Sequence, residues 1–145
     1  MTTLLDVNVL VALAWPNHVH HRPARSWFEK SHSEGWATCS TTQNAFVRIS
    51  SNPKVVDEAR TPAEAVLLLQ RLLKLDGHRF WSDDVSIAQS KTIDVDRIRG
   101  YRQVMDAHLI ALARRHGGRL ATFDRKIATL LPPEADPGTY LLVLS

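Results

Sequence analysis

The chain has 145 residues, of which 44% are hydrophobic and 23% charged, with a net charge of +3. That is enough chain to bury one core, and the composition excludes a disordered or fibrous sequence. The single cysteine, Cys39, excludes an internal disulfide and a thiolate metal site, and it suits a reducing cytoplasm.

In chain order, residues 2–6 (TTLLD) predict a short buried strand. Val7, Leu10, Val11 and Ala14 then fall at i, i+3, i+4 and i+7, one face of a helix that Pro16 stops. Asp6 and Asn8 interrupt this apolar run and no basic segment precedes it, so neither a signal peptide nor a membrane span is expected. In HHRPARSWFEKSH, Pro23 suits a first helical turn, and Ala24, Trp27 and Phe28 form an apolar stripe. WATC (36–39) predicts a second strand. STTQNAFVRISSNP begins with hydroxyl caps and continues as a helix, with Gln43, Phe46, Val47 and Ser50 on one face. TPAEAVLLLQRLLKLDG carries a capping box, Thr61 with Glu64, and Pro62 at its first position.

HRFW (78–81) predicts a third strand. SDDVSIAQS, with Ser82 as cap and acids in the first turn, predicts the start of a helix. VMDAHLIALARRHGG is a strong helix stopped by two glycines. RLATFD predicts a fourth strand, RKIATLL a short helix, and TYLLVLS a closing strand. Strands alternate with helices throughout, which predicts an α/β fold: a mostly parallel sheet of about five strands with helices on both faces. No linker divides the chain, so residues 1–145 are read as one domain.

In open parallel sheets, ligands bind beyond the carboxyl ends of the strands. Asp6 and Asp124 hold that position on two predicted strands. Asp106 shares the buried face of its helix with Leu109, Ile110 and Ala113. Taken singly, Asp6 reads as a structural hydrogen-bonder, Asp106 as a helix cap and Asp124 as a turn residue. Taken together, three aspartates converge on one cleft. Clustered carboxylates repel one another, and a hard cation such as Mg²⁺ or Mn²⁺, which prefers oxygen ligands, removes that conflict. The three histidines of HVHH, His18, His20 and His21, follow no structural zinc spacing and have no cysteine nearby. His108 is read as covering its helix.

LLDVNVLVAL, TTQNAFVRI and DAHLIALARRHGGRLATFD resemble the PIN-domain endoribonucleases, and within them the VapC toxins of VapBC toxin–antitoxin pairs. The resemblance runs over essentially the whole chain. It implies a three-layer α/β/α sandwich, a homodimer, Mg²⁺- or Mn²⁺-dependent hydrolysis of an RNA phosphodiester, and inhibition by a cognate VapB-like antitoxin. The implied substrate is transfer RNA or ribosomal RNA, cut to leave 5′-phosphate and 3′-hydroxyl ends. Carried over by motif, Asp6, Asp106 and Asp124 match the acidic, metal-holding site, and Asn8 and Thr122 match polar positions beside it. Gln43 stands where the family commonly has Glu, which implies one well-held metal and a weaker second one. Its side chain is expected to aim at Asp6 and Asp106. Arg48, Arg114, Arg115, Arg119 and Arg125 are candidate contacts to the RNA backbone.

Two competing readings stand beside this one. Asp-x-Asn after an apolar strand also resembles a haloacid-dehalogenase phosphatase, in which the first Asp is the nucleophile, although no lysine motif completes it. The other is a PIN-like module that binds RNA or an antitoxin without cutting.

Overall fold

The computed structural model describes residues 1–145. Its centre is a five-stranded sheet, β1 (Thr3–Leu5), β2 (Trp36–Cys39), β3 (His78–Trp81), β4 (Arg119–Thr122) and β5 (Leu141–Val143), in the order β3-β2-β1-β4-β5. Every pairing is parallel. The central strands read as continuous apolar runs because helices cover both faces: every residue of β1 and β2 is buried. β3, at the sheet edge, leaves Arg79 and Phe80 exposed.

Helices α1 (Val7–Ala14), α2 (His21–Ser31), α3 (Ser40–Ser50) and α4 (Pro62–Leu73) cover one face. They pack Leu10, Phe28, Phe46 and Leu69 with Leu5 and Trp36 of the sheet. Helix α5 (Val104–Arg115) covers the other face, with Leu109, Leu112 and Ala113 against Leu4, Ala37 and Leu120. The result is the three-layer α/β/α sandwich.

Local chemistry accounts for the boundaries. Thr61 and Glu64 form the reciprocal capping box expected at α4. The N-cap of α3 is Cys39 rather than one of the hydroxyl residues, and Thr42 closes that cap by accepting from the Cys39 N–H at 3.0 Å. After α5 the chain reverses through Gly117, at φ +69°. A Cβ on the following Gly118 would stand 2.3 Å from the Thr2 carbonyl oxygen, so only glycine admits β4 beside β1.

Two expectations are corrected, at residues 82–90 and at Thr139 and Tyr140. Residues 82–90 form no helix. Asp83 and Asp84 are drawn instead into tertiary partners, which outweigh a helix-start pattern with little apolar periodicity behind it. Residues 91–103 contain two 3₁₀ turns, Val95–Arg97 and Tyr101–Gln103, the second leading directly into α5. Near the end, Thr139 and Tyr140 belong to a short helical turn, α6 (Pro137–Tyr140), capped by Asp136, rather than to β5.

Candidate active site

The strand order reverses between β1 and β4. β2 and β3 extend the sheet to one side of β1, and β4 and β5 to the other. The gap beyond the carboxyl ends at such a reversal is where doubly wound sheets bind ligands, and the aspartates occupy it. Leu5 is in register with Ala121, so Asp6 emerges beside Thr122. Asp6 also caps α1: one carboxylate oxygen accepts from the Val7 N–H at 2.7 Å and the other from the Thr122 hydroxyl at 2.7 Å. The Thr122 hydroxyl in turn accepts from the Asn8 amide at 3.2 Å and from the Asp124 N–H at 3.1 Å. Asn8 Oδ1 accepts from the Phe123 N–H at 3.3 Å. A buried network of Asp6, Asn8 and Thr122 therefore fixes the turn that carries Asp124. Asp124 itself caps the 3₁₀ segment Arg125–Leu130 through the Lys126 N–H.

Asp106 enters from the first turn of α5. Its carboxyl is pushed up to about 6, first by partial burial and then by the negative charges of Asp6 and Asp124. Burial also raises Asp6, which is 3% exposed; the bonds from Thr122 and Val7 oppose the shift and the Asp124 charge adds to it. The three aspartates thus feel one another's charge at one sheet edge.

They do not form a closed three-ligand cage. That suits Mg²⁺, which retains several waters and is held by one or two carboxylates together with substrate phosphates. The donor set is all oxygen with an excess of negative charge, and both properties fit a hard divalent cation. No histidine or cysteine joins it. Of the HVHH histidines, His20 stacks on Phe123 at 4.5 Å, His18 Nδ1 accepts from the His20 N–H, and His21 Nδ1 lies 2.7 Å from the Ala12 carbonyl oxygen.

Gln43 does not hydrogen-bond the cluster. Its amide N–H donates to the Thr38 hydroxyl at 3.0 Å, and Thr38 also meets His78 Nε2 at 2.8 Å. The candidate arginines divide. Arg125 is exposed beside Asp124. Arg48 lies in the last turn of α3, which starts at the carboxyl edge and runs away from it. Arg114 and Arg115 end α5, roughly 12 Å along the helix from Asp106. There Arg114 covers the Tyr140 ring and Arg115 pairs with Asp84 at 2.9 Å. Arg119 opens β4 at the opposite edge of the sheet from Asp124. Arg114, Arg115 and Arg119 are therefore far from the carboxylates, because a helix that packs back along the sheet carries its two ends to opposite edges.

Sequence reasoning missed one feature of this edge. Asp83, after β3, accepts from both the N–H and the hydroxyl of Thr41 at the start of α3, and its other oxygen meets His108 Nε2 of α5. His108 is thus a partner that ties two helices to β3, not simply a cover for its own helix. Only the SDD acids outside any apolar periodicity hinted at this. Their partners lie 42 residues before and 25 residues after.

A parallel α/β/α sandwich with aspartates at its switch point defines an acid-edged hydrolase class, and residues 3–130 match the PIN domain. The chain belongs to the PIN-domain family and, within it, to the VapC ribonucleases. It is 54% identical to Ribonuclease VapC38 of Mycobacterium tuberculosis over 141 residues, covering 97% of this chain and 98% of that one. It is 52% identical to Ribonuclease VapC39 of the same species over 128 residues, covering 88% and 92%. A chain in the crystal structure of VapBC2 from Rickettsia felis, bound to a DNA fragment from their promoter, superposes with a TM-score of 0.64 over 100% of both chains at 12% identity, a likeness of fold. Family membership displaces the haloacid-dehalogenase reading.

Proposed function

We propose that this chain is the toxin of a VapBC-type pair, a cytoplasmic, Mg²⁺- or Mn²⁺-dependent endoribonuclease that cuts transfer or ribosomal RNA and works as a homodimer. The observation that carries this reading is the carboxyl of Asp106, held up to about 6 beside Asp6 and Asp124 where the strand order reverses. Such a cluster is costly without a cation and useful with one. One or two of the carboxylates of Asp6, Asp106 and Asp124 would hold the metal, with waters and substrate phosphate beside them. When bound, it supplies Lewis-acid polarisation of a phosphoryl oxygen and a more acidic water.

The chain's own residues prepare the rest. Thr122 and the Val7 N–H orient the Asp6 carboxylate, each engaging one of its oxygens. Asn8 and the Asp124 N–H lock the Thr122 hydroxyl, so Asp6 and Asp124 keep their relative position. The raised carboxyl of Asp106 marks a cluster that is short of positive charge until a cation binds. Exposed Arg125 is placed for a phosphate contact beside Asp124.

The similarity to VapC ribonucleases and the fold shared with a VapBC complex support a VapB-like antitoxin as partner. An arginine presented to the three carboxylates would neutralise them much as a metal does. The test is brief expression in cells followed by sequencing of new 5′-phosphate ends. Discrete cuts in transfer or ribosomal RNA, dependent on Mg²⁺ in vitro and abolished by a co-expressed antitoxin, are expected. RNA bound but uncut at every Mg²⁺ concentration would leave a binding module instead.

A further inference from the structure

Tyr101 is the most exposed aromatic residue of the chain apart from the histidines, 81% accessible, and it stands five residues before Asp106. It opens the 3₁₀ turn that runs into α5, so its backbone lies roughly 8 Å along the axis from that of Asp106. That is the span of one or two nucleotides. Beside it runs an open groove rimmed by Ile87, Val104 and Met105, with Asp83 and His108 below. All three rim residues are themselves exposed. Two arginines stand beside the ring in the chain. Arg102 sets its guanidinium 5.7 Å from the Tyr101 ring centroid and its Nε 3.3 Å from the phenol oxygen. Arg99 is exposed, and neither arginine is held in an ion pair.

An exposed ring with the Arg102 guanidinium against it, an apolar rim and an exposed Arg99, close in the chain to Asp106 of the proposed catalytic cluster, are the parts of a single-strand platform. Bases stack on aromatic faces, while arginines hold the flanking phosphates. We infer that Tyr101 is a base-stacking residue. An unpaired nucleotide next to the scissile phosphate lies on its ring along the Ile87–Val104–Met105 groove, with Arg99 and Arg102 on the adjoining phosphates. This rests on the ribonuclease reading above. It adds to it the residue on which an unpaired base of the substrate stacks, because a base still paired in a helix cannot reach the ring. An apolar protein segment would fill the same rim but leaves the two arginines without a counter-charge.

The test uses the full chain in an Asp124→Asn background, which prevents cutting and leaves the platform intact. Binding of a fluorescein-labelled, unstructured RNA 12-mer of randomised sequence is measured by anisotropy in Mg²⁺. Tyr101→Ala is expected to weaken binding roughly tenfold, the scale of one stacked base, and Tyr101→Trp to hold or improve it. Arg102→Ala is expected to lower the slope of log affinity against log salt by about one, and Tyr101→Ala to leave that slope unchanged. In the cutting protein, Tyr101→Ala is expected to raise KM with kcat nearly constant.

Equal RNA affinity for Tyr101→Ala and its parent overturns the inference. So does a change of Tyr101→Ala from dimer to monomer in light scattering, which would make this face a contact between copies. Failure of the cutting-competent protein to bind or cut any RNA removes the ribonuclease reading and this one together. Normal cutting with an unchanged KM in Tyr101→Ala removes only the stacking role.

Discussion

Two groups of acids share the carboxyl edge of this sheet, and they meet opposite fates. Asp6, Asp106 and Asp124 face one another without a cation from the chain to balance them, and burial and mutual repulsion push Asp6 and Asp106 upward. Asp83, also at that edge, is pushed up by its own burial, yet the Thr41 hydroxyl, the His108 imidazole and the Thr41 N–H outweigh that and hold it below the usual carboxylate range. The difference lies both in burial, which is deeper for Asp6 and Asp106, and in partners, since only Asp83 has an imidazole beside it. One group is left short of positive charge, which the proposed metal would supply. The other is satisfied internally and fastens α3 and α5 to the end of β3. Unspent negative charge at a cleft marks function, whereas a fully partnered carboxylate marks architecture.

The largest effect expected is on catalysis. Asp6→Asn, Asp106→Asn and Asp124→Asn are each expected to lower RNA cleavage by roughly 10³-fold, the scale for removing a group aimed at developing charge. Each is expected to keep its fold by circular dichroism. Activity surviving in all three would erase the contrast between the two acid groups.

The next effect is on stability. Asp83→Ala removes three hydrogen bonds from a half-buried carboxylate and leaves His108 and Thr41 without their partner. A loss of about 2–3 kcal/mol is expected in urea unfolding. Metal-free Asp106→Asn, relieved of like-charge repulsion, is expected to be at least as stable as the parent. If the Asp106 variant loses as much as the Asp83 variant, Asp106 is a structural acid after all.

The two groups also predict opposite pH slopes. Asp106 has a folded value near 6 against an unfolded value of about 4, so the folded state binds the extra proton. Its contribution to metal-free stability is full below about pH 4 and is lost as pH rises through 6, by about 1–2 kcal/mol after solvent screening. Asp83 is lowered, so its contribution is present above pH 4 and is lost as pH falls below that. Melts of parent and Asp106→Asn between pH 4 and 7.5 without metal separate the two. The parent is expected to lose stability relative to the variant between about pH 4 and 6 and to run parallel to it above that, and curves parallel throughout would contradict the assignment.

The smallest effect concerns Gln43. Its amide is tied to Thr38, away from the three carboxylates' hydrogen bonds. Gln43→Glu is therefore expected to change Mn²⁺ affinity by less than about threefold, since a tethered side chain adds little to a weak carboxylate site. A tenfold tightening in titration calorimetry would show that this side chain swings into the cleft and belongs with the first group.

The sequence by itself determined the alternation of strands and helices, the capping box of α4, the glycine stop after α5, and the strand-end positions of Asp6 and Asp124. All of these are local: periodicity, caps and breakers act within a few residues, and a parallel sheet brings strand ends to one edge wherever the strands fall in order. Tertiary structure alone decided the pairing of Asp83 with Thr41 and His108, the turn of Gln43 toward Thr38, and the placing of Arg114, Arg115 and Arg119 far from the cleft. It also left 82–90 without the helix that its acids and cap suggested. Each of these depends on which partner the packed helices bring within about 3 Å of a side chain, and that distance is set by the sheet order and helix docking rather than by the neighbouring residues in the chain.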